Sequence, residues 1–360
     1  MVLNCTTRIS ETKMRFRTSL LAAAGLTAAL ASSPVLAAEQ AAINNGEVNV
    51  YSYRQPFLIQ PMFDAFTRDT GVKVNVVFAP KGLVERLEQE GRNSPADLIF
   101  TVDIGRLSDA YDSGVTQAVQ SAELSGAIPE AFRQDNGHWY GLTQRARILY
   151  VSKDRVPVNE APKSYEELAD PKWKGRICTR SGSHVYQVAL TSAMIAHHGL
   201  EKAEDWLRGL KANLARKPQG NDRAQVKAIK EGECDVSIGN NYYYGQMLQN
   251  EEQFAWAQSV YPVFPTIANT GTHVNISGVA LTKSAPNKQN AVKLMEFLAG
   301  DLAQQMYAEQ NFEYPIVAGV PQGGLIRSMG ELKPDTLNLD EVAANRGTAL
   351  KLINEVGYND

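Results

Sequence analysis

The stretch SIGNNYYYGQ, Ser237 to Gln246, sets three tyrosines side by side behind two asparagines. Neither a strand nor a helix aims three neighbours at one place, so packing alone seldom asks for such a run. Another tyrosine, Tyr186, sits in RSGSHVY just after the strand-like GRICTR, while Tyr242 and Tyr243 follow the strand-like CDVSIG. If those strands are neighbours in one sheet, Tyr186, Tyr242 and Tyr243 gather at the same end of it. A phenolate is a hard anionic oxygen donor, and removing a proton ordinarily held to a pKa of about 10 takes a strong Lewis acid. A bound trivalent iron supplies such a field, and hard oxygen ligands suit a hard ion. The competing readings make the run core packing, or a stacking platform for a sugar or an organic cation such as a polyamine. Cation capture calls for an acid beside the tyrosines, and the sequence puts none there. Tyr244 is expected to face away, because consecutive helical residues point about 100° apart.

Rival chemistry is weakly signalled. After residue 37 the chain carries no GxSxG, HExxH or SxxK motif, and of five histidines only His184 falls in a candidate functional loop. Ser181 and Ser183 lie beside it, but a base adjacent in sequence to its nucleophile is not triad geometry, and serines at a helix start usually act as caps. No catalysed reaction is expected. Cys178 and Cys234 form neither a CxxC pair nor part of a metal-ligand cluster. A disulfide or two buried thiols is therefore favoured over a thiolate metal site.

The rest of the chain must position these groups. Its 360 residues suit two domains or one two-lobed fold, and 44% hydrophobic with 21% charged content is that of an ordinary soluble protein. After Met14, Arg15 and Arg17 comes SLLAAAGLTAALASSPVLA, an apolar run ending in Val35-Leu36-Ala37. Residues 1–37 are assigned as a signal peptide, with cleavage after Ala37 or Ala38 and Met14 as an alternative start. As a membrane anchor the run is too short, too rich in Ala and Ser, and broken by Pro34. Removal of the segment takes Arg8, Lys13, Arg15, Arg17 and Glu11, leaving 32 basic and 38 acidic residues, net −6. That balance argues against nucleic acid or anionic lipid as partner.

Periodicity gives an α/β rhythm: EVNVYSY and VKVNVVFA read as strands around an amphipathic FLIQPMFDAFTRDTG, followed by GLVERLEQEG, ADLIFT and DIGRLSDAYDSG. A second series follows ARILYVSK, with helices near 184–197, 202–211 and 222–231. A strand-helix pair then returns at Asn275 to Lys283, and LDEVAANRGTALKLINEVG reads as one final helix. The rhythm thus leaves one lobe and comes back, which places a ligand in a cleft between lobes.

The segments YSYR, RDTGVKVNVVF, SPADLIFTVD, LTQRARILYV, DPKWKGRICTRSGSHVY, EGECDVSIGNNYYYG and NISGVALTKSAPN resemble the periplasmic ferric-iron-binding proteins of ABC transporters, the FbpA/FutA family. The resemblance covers nearly the whole mature chain, and NNYY after a strand is its most specific element. It implies a type II periplasmic-binding-protein fold, two α/β lobes joined by crossing hinge strands. It implies a monomer that delivers Fe(III) to an ABC transporter permease in the inner membrane. The lobes are expected to comprise residues 38–148 with 275–325, and 149–274 with 326–360. The implied metal ligands are Tyr186, Tyr242 and Tyr243. One departure stands out: where the family's first strand ends YSxRHY and supplies a further ligand, this chain reads YSYRQPF. Lys81 likewise stands near where some members carry a ligating glutamate. Candidates to complete the shell or stand behind it are Tyr53, Gln55, Arg54 and Arg145, together with a synergistic anion such as carbonate. Arg54, Arg145 or Arg147 could balance that anion in bidentate fashion. Ser181, Gly182, Asn221 and Asn240 are its candidate hydroxyl, amide and backbone donors, and Asn240 is equally a candidate helix cap ahead of Tyr242.

Overall fold

The computed structural model describes residues 46–360, so the signal-peptide assignment and the first residues of the expected N-terminal lobe lie outside the described residues. The described residues form ten strands: β1 (Glu47–Ser52), β2 (Lys73–Phe78), β3 (Leu98–Thr101), β4 (Thr116–Gln117), β5 (Tyr140–Ser152), β6 (Ile177–Cys178), β7 (Val236–Asn240), β8 (Val260–Val263), β9 (Val274–Thr282) and β10 (Tyr314–Pro315). Their main path runs β2-β1-β3-β9-β5-β7-β6. The helix Pro56–Thr70 joins β1 to its parallel neighbour β2. It ends where Gly71, at φ 73°, turns left-handed and donates its N–H back to the Thr67 carbonyl. Among the described residues no helix is long and apolar enough to cross a membrane.

The two long strands β5 and β9 organise the molecule. Over Tyr140 to Ala146, β5 lies antiparallel to β9; from Arg147 onward it takes β7 and β8 instead. All thirteen residues of β5 are buried. This crossing pair gives the two-sided α/β arrangement expected from the sequence, with one group of parallel strands (β1, β2, β3) on one side and another (β6, β7) on the other. Apolar cores lie on both sides, one around Phe63, Phe100, Leu281 and Leu294, another around Leu190, Trp206, Ile238 and Leu352.

Two expectations need correction. GRICTR contributes only two residues of strand, because the chain peels away after Cys178, which is disulfide-bonded to Cys234 with Cα atoms 5.9 Å apart. The final segment is not one helix but two, Leu339–Ala344 and Arg346–Glu355. Between them Asn345 folds its amide onto the Glu341 carbonyl at 2.9 Å, a local bond that apolar spacing does not report.

The disulfide closes a loop between residues 56 apart in sequence, which loop entropy values at about 4 kcal/mol. The Cys178→Ala/Cys234→Ala variant is expected to lose about that much in urea unfolding, and an unchanged midpoint would show the loop to be held by its packing instead.

Candidate metal centre

β6 and β7 pair in parallel with Cys178 beside Ser237, so the segments leaving them emerge on one edge of the sheet. The first passes through Thr179 to His184 into the helix Val185–His198, while the second enters the helix Tyr242–Leu248 almost directly. Tyr186 is the second residue of its helix, and Tyr242 and Tyr243 open theirs. Three phenols thus stand on the first turns of two helices, where the helix dipole favours negative charge. The hydroxyls of Tyr186 and Tyr242 are 3.2 Å apart, and the rings of Tyr242 and Tyr243 have centroids 4.3 Å apart. Tyr244 faces the other way and stacks on Tyr150 at 6.4 Å.

The supports of these turns are specific. A Cβ on Gly239 would sit 2.4 Å from the Tyr150 ring, so only glycine lets that ring lie against β7 while its hydroxyl donates to the Asn240 carbonyl at 2.6 Å. Asn241 accepts from the Ala146 N–H at 2.9 Å and donates to the Phe312 carbonyl at 2.9 Å, clamping the turn to β5. His184 caps the other helix: its Nδ1 accepts from the Tyr186 N–H at 3.2 Å. Burial, then the charge of Arg180, hold the His184 imidazole down to about 3, so it serves as a neutral acceptor.

Cations crowd around the phenols. The guanidinium carbons of Arg180, Arg145 and Arg147 lie 5.2, 5.3 and 5.7 Å from the Tyr186 ring centroid, and that of Arg223 lies 5.8 Å from Tyr243. Fully buried Asp222 joins Arg147 at 2.6 Å and Arg180 at 3.1 Å. Burial would lift its carboxyl, but those two arginines hold it below the usual range. Burial, then the neighbouring phenols Tyr186 and Tyr243, push Tyr242 well above the tyrosine range, against a smaller opposing pull from Arg145. Tyr243 is pushed up by burial and by Tyr186. At neutral pH Tyr242 and Tyr243 therefore keep their protons until a strong Lewis acid displaces them.

The remaining sequence-derived candidates lie in different settings. The Tyr53 hydroxyl accepts the Leu83 and Val84 N–H groups at 2.9 and 3.1 Å, closing off the start of the helix Leu83–Glu90, so it is committed elsewhere. Arg54 is locked in a buried pair with Glu313 at 2.7 Å. Ser181 Oγ and the Gly182 N–H both donate to Asn359 Oδ1, at 3.1 and 2.8 Å, and therefore do not form an open anion cradle. Asn221 accepts from the Ala224 N–H at 3.0 Å as a helix cap. Asn240 is no cap: it ends β7, accepts from Arg147 at 3.0 Å and reaches the Tyr242 hydroxyl at 3.4 Å. Gln55 stands at the mouth with its side chain capping nothing. The Arg145 side chain donates to Ser277 Oγ at 3.2 Å, and among the described residues its buried Nη2 has no partner. The Ser183–His184 pair is not assembled for catalysis, because His184 faces the Tyr186 backbone and Ser183 accepts from Asn359 at 3.0 Å.

A cleft of about 410 Å³ opens onto Tyr186, Tyr242 and Tyr243, with Tyr53, Gln55, Phe57, Arg106, Arg180 and Arg223 also lining it and no carboxylate among its described lining residues. A larger groove of 720 Å³, along Leu87, Arg92, Val115 and Lys283, holds no such convergence of donors. Among the described residues no group of three or more His, Cys, Asp or Glu could hold a metal ion. Arg106, Arg180, Arg223 and Asp222 were not singled out from the sequence; Arg180 follows the end of β6 and could have been, whereas Asp222 reaches the end of β7 only in space.

Residues 93–325 match the family model described as bacterial extracellular solute-binding protein. Iron uptake protein A1 of Synechocystis sp. is 43% identical over 87% of this chain and 87% of its own length. Apo ferric ion-binding protein A of Pasteurella haemolytica superposes with a TM-score of 0.84 at 53% identity, covering 87% of this chain and 98% of that one. Trichodesmium FutA, solved in complex with iron and citrate ligands, superposes at 0.81 with 41% identity, covering 87% and 100%.

A helix-capping, neutral His184 is expected to show no protonation step between pH 5 and 8 when its imidazole resonance is followed by NMR. Because its folded pKa lies below the unfolded value, it penalises the folded state as pH falls below about 6.5, the ordinary histidine value. A midpoint near 6.5 in the folded protein would contradict the capped geometry.

Proposed function

This chain belongs to the bacterial extracellular solute-binding proteins, and within them to the periplasmic ferric-iron-binding proteins of the FbpA/FutA family; from that premise we propose that it captures ferric iron on the phenolates of Tyr186, Tyr242 and Tyr243. Its family consists of binding proteins rather than enzymes. The observation that carries the reading is the convergence of two phenol oxygens to 3.2 Å beside a third phenol, on the edge of a cleft with no carboxylate among its described lining residues. Three phenolates neutralise a trivalent ion, and three protons leave as it enters. The cleft lining supplies no further anionic ligand, since Gln55 is neutral and the Tyr53 hydroxyl is occupied. A small exogenous anion such as carbonate completes the shell, balanced by the spare donor of Arg145.

The lobes are residues 38–148 with 275–325, and 149–274 with 326–360, hinged where β5 and β9 cross. They close over the ion, and the loaded monomer, exported by its signal peptide, hands the iron to an ABC importer in the inner membrane. Organic-cation capture is disfavoured by Arg106, Arg180 and Arg223 around the cleft, which repel a polyamine.

Titration of the mature protein with ferric citrate is expected to produce a broad visible tyrosinate-to-iron charge-transfer band. Tyr186→Phe and Tyr242→Phe each weaken the band and lower ferric affinity by more than about 100-fold, since loss of an outer-shell partner alone costs about 10- to 100-fold. A colourless wild type, with the iron left on citrate, overturns the reading.

A further inference from the structure

Asp222 makes no hydrogen bond to Tyr186, Tyr242 or Tyr243, yet it holds three of the groups that surround these phenols. Its Oδ2 accepts from Arg147 Nη1 at 2.6 Å and from the Asn240 backbone N–H at 3.0 Å, and its Oδ1 accepts from Arg180 Nη1 at 3.1 Å. Those partners come from three places: Arg147 from β5, Arg180 from the segment after β6, and Asn240 from the end of β7. They in turn surround the phenols. Arg147 and Arg180 lie over the Tyr186 ring, Arg147 also donates to Asn240 Oδ1 at 3.0 Å, and Asn240 Nδ2 reaches the Tyr242 hydroxyl at 3.4 Å. Asp222 is fully buried and opens a helix capped by Asn221, so its own position is fixed from the far side.

We propose that Asp222 is the positioning residue of this site: its carboxylate fixes two arginines and Asn240, and through them the separation and orientation of the Tyr186 and Tyr242 phenols. The inference rests on the tyrosinate reading above. A purely electrostatic role makes a different prediction. Exchange of three protons for one trivalent ion leaves the charge of the site unchanged, so a nearby negative charge has little first-order effect on ferric affinity. If an anion binds with the iron, that negative charge opposes it, and its removal tightens binding.

Two variants separate these roles. Asp222→Glu keeps the charge but moves the carboxylate by one methylene, whereas Asp222→Asn keeps the shape and removes the charge. Each is checked for folding by circular dichroism and melting, then titrated with ferric iron against citrate while the visible band is recorded. Positioning predicts that Asp222→Glu loses about 10- to 100-fold in affinity and shifts the band maximum. If Asp222→Asn fails to fold with two arginines left unpaired, Asp222→Glu alone decides. Wild-type affinity and band position in Asp222→Glu overturn the positioning role. A wild type with no band overturns the tyrosinate reading and this inference with it, so the two failures are told apart.

Discussion

Because β6 and β7 lie parallel, with Cys178 beside Ser237, the chain must leave both strands on one edge of the sheet, and Tyr186, Tyr242 and Tyr243 stand there as a result. Antiparallel pairing would have sent Tyr186 and Tyr242 to opposite ends. The crossing of β5 from β9 to β7 between Ala146 and Arg147 then brings Arg145 and Arg147 to the same edge. The disulfide and the clamp of Asn241 onto β5 fix this edge covalently and by hydrogen bonds.

Charge is the second constraint. Arg54, Arg145, Arg147 and Arg180 are buried at or near the site, while Asp222 and Glu313 are the carboxylates paired with them. Such an excess of buried cations is costly unless an anion compensates it. On the proposed reading, that excess suits a site that takes up an anion together with its metal. Neutral Tyr242 and Tyr243 also avoid setting two adjacent negative charges beside Tyr186, which their raised values reflect. On the proposed reading an incoming ferric ion has to do the work of ionisation, and conditions that favour the phenol, such as acid, favour release.

Much of this was legible in the sequence because its signals are local. Strand, short turn and tyrosine lie within a few residues of one another in both CDVSIGNNYYYG and GRICTRSGSHVY, and the α/β rhythm shows in apolar spacing. What was not legible joins distant parts of the chain. The Arg54 to Glu313 pair spans 259 positions, and Ser181 finds its acceptor at Asn359, 178 positions away. Sequence could offer Arg54, Ser181 and Gly182 as free donors because nothing near them predicts those partners. The Tyr53 hydroxyl illustrates the same limit of local sequence: it accepts from the start of a helix 30 residues on, a partner nothing beside Tyr53 announces. The break at Asn345 escaped because one side-chain bond to a carbonyl leaves the hydrophobic pattern intact.

Resonance Raman scattering from the iron-loaded protein, excited in its visible band and repeated with ring-deuterated tyrosine, tests the central claim most directly. Phenolate ring modes that are strongly enhanced and move on deuteration are the predicted result. Iron-loaded protein with no enhanced phenolate modes would contradict ligation by Tyr186, Tyr242 and Tyr243.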